Sequence, residues 1–160
     1  MSMAINLPEW VVVLTTTLIV LIAVVFHYEV MSALNHWACR RIRTATPDHR
    51  PRSTILIIML VLLITHVLEI WLFAMGYWLL AEGGSFGEIT GYDEFLFLDY
   101  VYFSAANYST VGWGDLIATG PIRFLAGTEA LVGFMLITFS ASFIYLIMSR
   151  TWRGDEDLEG

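Results

Sequence analysis

Three long stretches of the chain carry almost no charge. Trp10 to Phe26 has no charged residue within an apolar run over residues 8–34, a second run extends from Thr54 to about Ala81, and a third from Pro121 to about Ser149. Each exceeds the roughly 20 residues that an α-helix needs to cross a bilayer. Pro121 suits an early position in the third helix, where the N–H that proline lacks would have no helical partner. Between the second and third runs, Phe95 to Tyr108 is apolar and aromatic but only half a span long. That length predicts a re-entrant helix, with Asp99 as its N-cap. The stretch NYSTVGWGDL, Asn107 to Leu116, follows it. Gly112 and Gly114 there can adopt positive φ and turn carbonyls away from helix or ladder partners. Irregular backbone at membrane depth is tolerated only where it lines a watery cavity or is buried in protein.

Composition strengthens the membrane reading. Of 160 residues, 58% are hydrophobic and the mean hydropathy is +0.69, well beyond the roughly 45–50% apolar usage of soluble domains. The expected fold is an all-α membrane protein. It has three transmembrane helices plus a re-entrant pore helix and filter-like loop. No basic residue precedes the first apolar run and no small-residue cleavage site follows it, so that run reads as a retained helix, not a signal peptide. A single cysteine, Cys39, excludes an internal disulfide. The chain offers no room for a soluble regulatory domain.

Charge orients the spans. The net charge is −7, which argues against nucleic-acid binding. Five of the eight arginines (Arg40, Arg41, Arg43, Arg50, Arg52) crowd the connection between the first two runs, and Arg150 and Arg153 follow the third. By the positive-inside rule both places are cytoplasmic, which puts the N-terminus outside and the C-terminus inside. Residues 82–120 then lie outside. They carry Glu82, Glu88, Asp93, Glu94, Asp99 and Asp115 against no basic residue, a mouth that draws cations. The segment TATPDHRPRS, 44–53, reads as a cytosolic turn, and the RGDEDLEG tail as solvated. Three segments result: residues 1–52 as an additional N-terminal helix with its arginine-rich loop, 53–150 as a pore unit, and 151–160 as an acidic tail.

The hexapeptide Thr110-Val111-Gly112-Trp113-Gly114-Asp115 resembles the selectivity filter of potassium channels, whose TVGYG loops coordinate ions through backbone carbonyls. The resemblance covers outer helix, pore helix, filter and inner helix, about Thr54 to Arg150. It makes the chain similar to small prokaryotic two-helix pore channels with one helix added in front. It implies a homotetramer in a lipid bilayer and K+ as the transported ion. Thr110, Val111, Gly112 and Trp113 would line the ion sites through their carbonyls, with Gly114 completing the filter. Ser109, Asp115 and Phe103 would support it, Gly133 would fall near the inner-helix hinge, and Thr138, Ser140 and Ser142 would face a wet cavity. Two departures from the pattern stand out. Trp113 replaces the usual tyrosine and faces Phe103, which offers no polar partner, and Ala106 occupies the position where relatives keep a carboxylate behind the filter. Asp115 must then find another partner. These departures leave a weakly selective or non-selective cation channel, or a non-conducting structural homologue, as alternatives to a potassium-selective one.

Ionisable residues inside the spans are costly and need partners. His66 and Glu69 lie one turn apart in the second span, and Glu129 lies at a similar depth in the third. The three are expected to meet as a polar clamp between helices, with a proton sensor or metal site as the functional alternative. His27 is expected to snorkel with Glu29 and His36 toward the arginine loop. Trp71, Phe73, Tyr77 and Trp78 read as packing and an interfacial belt. No cysteine pair, HExxH motif, phosphate-cradling loop or basic aromatic stripe is present, so no enzyme is expected. A metal-dependent membrane hydrolase built on His66, Glu69 and Glu129 would leave the glycine loop unexplained.

Overall fold

The computed structural model describes residues 6–44, 52–92 and 94–156. Helix α1 spans Leu7–Thr44, α2 Arg52–Glu82, α3 Phe97–Tyr108 and α4 Arg123–Glu156. A two-residue strand β1 (Ile89–Thr90) precedes α3, and β2 (Ile117–Ala118) follows the glycine loop. The helical segments Leu7–Ile42, Ser53–Glu82 and Gly120–Ser149, the last beginning in a short 3-10 turn before α4, are long and apolar enough to cross a membrane. Large apolar side chains are exposed along all three, among them Leu14, Leu63 and Phe134, as lipid-facing helices require.

The helices outrun the apolar runs that predict them. Helix α1 continues through Arg40 and Arg41 to Thr44 because arginine is a good helix former and no glycine or proline intervenes. Residues 45–51 of the expected turn lie outside the described residues, as does Asp93. Helix α4 extends to Glu156, so the acidic tail begins as helix; residues 157–160 lie outside the described residues.

The half-length element is a twelve-residue helix with its cap one turn earlier than expected. Leu96, not Asp99, is the N-cap residue. Asp99 sits three positions on, and its carboxylate accepts the Leu96 N–H at 2.7 Å. An acidic side chain in the first turn can reach back to an orphan donor and complements the positive end of the helix dipole.

The chain divides into two compact units. One comprises Met1–Val24 and Leu68–Met135, the other Val25–Val67 and Leu136–Gly160. In the first, β1 and β2 pair antiparallel, Ile89 opposite Ala118 and Thr90 opposite Ile117, which ties the approach to α3 to the chain leaving the loop. The Thr119 N–H to Glu88 and Ile122 N–H to Phe86 bonds, 2.8 and 2.9 Å, extend that tie. Phe73, Ala74 and Tyr77 of α2, Phe103 and Tyr108 of α3, and Leu125 of α4 are buried in this unit. Gly76 lies directly against Ile19, so α1 packs on α2 here. Trp71 and Trp78 are partly exposed and meet Phe97 edge-on, as belt residues do, whereas Phe73 and Tyr77 are core. In the second unit, Met31, Leu34 and Ala38 form one face of α1 by helical spacing and pack with Ile58, Leu62 and Ile147.

Candidate ion-conducting site

The glycine loop hangs from the last turn of α3. Ser109 ends the helix, its hydroxyl donating to the Ala105 carbonyl at 2.7 Å. Thr110 N–H then bonds to Asn107 O at 2.8 Å and Gly112 N–H to Ala106 O at 3.0 Å. Positive φ angles alternate along the strand: Thr110 at 58°, Gly112 at 52° and Gly114 at 81°, with Val111 and Trp113 between them in ordinary backbone. Reversing the sign of φ at every second residue turns successive peptide planes so that their like groups align. Among the described residues, no hydrogen bond ends on a carbonyl oxygen from Thr110 to Gly114. Glycine takes these angles readily, while Thr110 holds one at a cost of about 1–2 kcal/mol.

Asp115 finds the partner that Ala106 cannot supply. The Tyr102 hydroxyl donates to Asp115 Oδ2 at 2.8 Å, and that hydrogen bond, the largest influence, raises the Tyr102 pKa above its ordinary value. Leu116 N–H bonds to the other carboxylate oxygen at 3.1 Å. Phe103 packs edge-on against Tyr77, centroids 5.0 Å apart, while Trp113 is 70% exposed within one chain. Beside α3 an open recess of about 230 Å³ is lined by Phe103, Asn107, Leu116 and Arg123 among others.

Two buried carboxylates hold α3 from either side. Glu69 of α2 accepts the Tyr108 hydroxyl at 2.5 Å. Glu129 of α4, fully buried, accepts the Tyr77 hydroxyl at 2.5 Å, and its other oxygen lies 2.5 Å from Ser104 Oγ. Ser104 Oγ is also 2.8 Å from the Ile70 carbonyl. Ser104 and Tyr108 are four residues apart on α3, so one helix face presents both hydroxyls. Gly133 of α4 backs the end of the same helix: a Cβ there would overlap the Tyr108 carbonyl and come within 2.9 Å of its Cα. Helix α4 runs unbroken through this glycine.

A family model described as "Ion channel" matches residues 55–150. The chain belongs to that ion-channel family. The match covers α2, α3, the glycine loop and most of α4, and α1 precedes it. No curated protein and no solved structure matches the channel. It is a multi-pass membrane protein.

In the second unit of the channel, His66 has partners that the sequence did not suggest. His66 and His27 both approach Ser140, their Nε2 atoms 3.1 and 3.3 Å from its hydroxyl, with ring centroids 5.4 Å apart. His27 is buried there and does not snorkel with Glu29, which is exposed. His36 instead has Nδ1 2.7 Å from its own helix, at the Ser32 carbonyl. Ser140 is 4% exposed and therefore lies off the face of Thr138 and Ser142, which are exposed and linked by a 2.9 Å bond from the Ser142 hydroxyl to the Thr138 carbonyl. The expectation that Ser140 faces a wet cavity is overturned, because its position is two residues, about 200°, from theirs around the helix.

Sequence reasoning overlooked Tyr102, Ser104, Tyr77 and Tyr108 as partners of the acids. A usable signal was present. A carboxyl group inside a span needs hydrogen-bonding partners, and Ser104 and Tyr108 present hydroxyls at i, i+4 on the half-length helix beside it.

Proposed function

We propose that four copies of the chain surround a pore that conducts potassium ions selectively, with the carbonyls of Thr110, Val111, Gly112 and Trp113 as the ion ligands. The observation that carries this reading is the alternation of positive φ at Thr110, Gly112 and Gly114 over carbonyls that accept no hydrogen bond among the described residues. Aligned carbonyls replace the hydration shell of a cation. One strand can supply only part of a ring, hence the fourfold homotetramer. The exposed Trp113 of one chain and the recess beside α3 of its neighbour are complementary parts of that assembly. Helix α3 would point its partially negative C-terminal end at the pore and favour cations. The N-terminus lies outside and the C-terminus in the cytoplasm, following the arginines. Gly133, Thr138 and Ser142 belong to the inner helix that would bear the gate and cavity wall.

Reconstitution in planar bilayers with opposed potassium and sodium gradients tests the proposal. The reversal potential is expected near the potassium equilibrium value, and native mass spectrometry in lipid should give a tetramer. Gly112→Ala should abolish the potassium current, since a Cβ at φ 52° carries a penalty of about 1–2 kcal/mol in each copy. Normal potassium current through that variant would mean that this loop is not the filter. A second reading, weak selectivity, is favoured by Phe103, which has no polar atom with which to brace Trp113. A reversal potential midway between the two ions would decide for it.

A further inference from the structure

The filter strand is bonded to the last turn of α3, so whatever locates that turn locates the filter. Its bonds run from Thr110 and Gly112 back to Asn107 and Ala106. Tyr108 is the final residue of the helix and is buried. Neighbouring helices hold it. Its hydroxyl donates to Glu69 of α2 at 2.5 Å, and its backbone sits on Gly133 of α4. Phe73 of α2 covers its ring, centroids 6.4 Å apart. No carboxylate stands at position 106 to brace the strand from behind.

We propose that Glu69 and Tyr108 are positioning residues for ion selection: their hydrogen bond fixes the end of α3 against the outer helix, and through it the spacing of the carbonyls at Thr110 to Gly112. This inference rests on the pore reading above. Selectivity depends on the number and disposition of carbonyl ligands, so a small displacement of the turn changes which ion is accepted. Glu69 is 1% exposed, which shields the bond from competing water and raises the cost of leaving either partner unmade. The requirement is for an acceptor facing the Tyr108 hydroxyl. A glutamine at position 69 retains one through its carboxamide oxygen; alanine does not.

The test is the potassium-to-sodium permeability ratio of reconstituted channels, taken from reversal potentials. This is a property of each open pore and does not depend on how many chains fold. Tyr108→Phe and Glu69→Ala are expected to lower the ratio by about tenfold, the scale of leaving one buried hydrogen-bonding group without its partner. Glu69→Gln should keep it within about twofold of wild type by the same reasoning. If a homomeric variant does not assemble, Tyr108→Phe chains co-assembled with wild-type chains are measured instead, and tetramers with one altered copy should show an intermediate ratio. A wild-type ratio favouring potassium, unchanged by Tyr108→Phe and Glu69→Ala, would overturn the positioning role alone. Collapse of the ratio in Glu69→Gln would also overturn it, since the acceptor is retained. A wild-type channel without potassium preference would overturn the potassium-selective reading and this inference with it.

Discussion

Replacing Glu129 separates two accounts of how a carboxyl group survives inside the membrane. Ser104 Oγ lies 2.8 Å from the Ile70 carbonyl and 2.5 Å from Glu129 Oε1, and a hydroxyl has one proton to give. A carbonyl has none. Both contacts are hydrogen bonds when Glu129 is protonated and donates to Ser104, while Ser104 donates to Ile70 and Tyr77 to Glu129 Oε2. Glu129→Gln preserves that pattern, its NH₂ donating to Ser104 and its oxygen accepting from Tyr77, and is expected to change stability by less than about 1 kcal/mol. Glu129→Ala leaves the buried Tyr77 hydroxyl without this acceptor, a loss of about 1–3 kcal/mol, and adds a cavity of the kind that brings large-to-small core changes to about 2–5 kcal/mol. For a chain of this size that lowers the melting midpoint by on the order of 10 °C. Thermal denaturation of the purified oligomer, followed by size-exclusion fluorescence, gives the ranking. Infrared difference spectra of wild type against Glu129→Gln should contain the carbonyl stretch of a protonated carboxylic acid. If Gln proves as damaging as Ala and that band is absent, Glu129 is ionised and the proton count is wrong.

Gly133→Ala should be damaging for a steric reason, because its methyl would press on the Tyr108 backbone; overpacking of this kind is worth about 1–3 kcal/mol. A lower oligomer yield and reduced potassium flux are expected, and wild-type behaviour in both would contradict the close approach of α4 to α3. The Tyr102–Asp115 bond raises the Tyr102 pKa, so its stabilisation is fully present below the ordinary tyrosine value, about 10, and is lost as pH rises through the higher folded value. An ultraviolet difference titration of wild type against Tyr102→Phe should therefore show this tyrosine ionising above the ordinary value, and a midpoint at or below it would refute the bond.

Much of the channel is written in local sequence. The lengths of three long apolar runs dictate three membrane-spanning helices whatever they pack against, since a backbone in hydrocarbon has to bond to itself. The twelve-residue length of α3 and the glycine spacing of TVGWGD are equally local. So is the positive φ at Gly112 and Gly114, because glycine takes it readily, whereas Thr110 takes it against its own preference. What only the tertiary structure decided is which polar side chains meet. Depth along a helix can be counted from the sequence, and on that count His66, Glu69 and Glu129 form one group. Meeting also depends on the rotational phase of each helix and on what the neighbouring helices present, and at 100° per residue an offset of two positions reverses the face. Thus Ser140 turns to His27 and His66 while Thr138 and Ser142 turn elsewhere. Glu69 and Glu129 each reach a hydroxyl of α3. The chain's apolar pattern specifies that these acids need partners; the packing of α2 and α4 around α3 selects Tyr108, Tyr77 and Ser104 to be them.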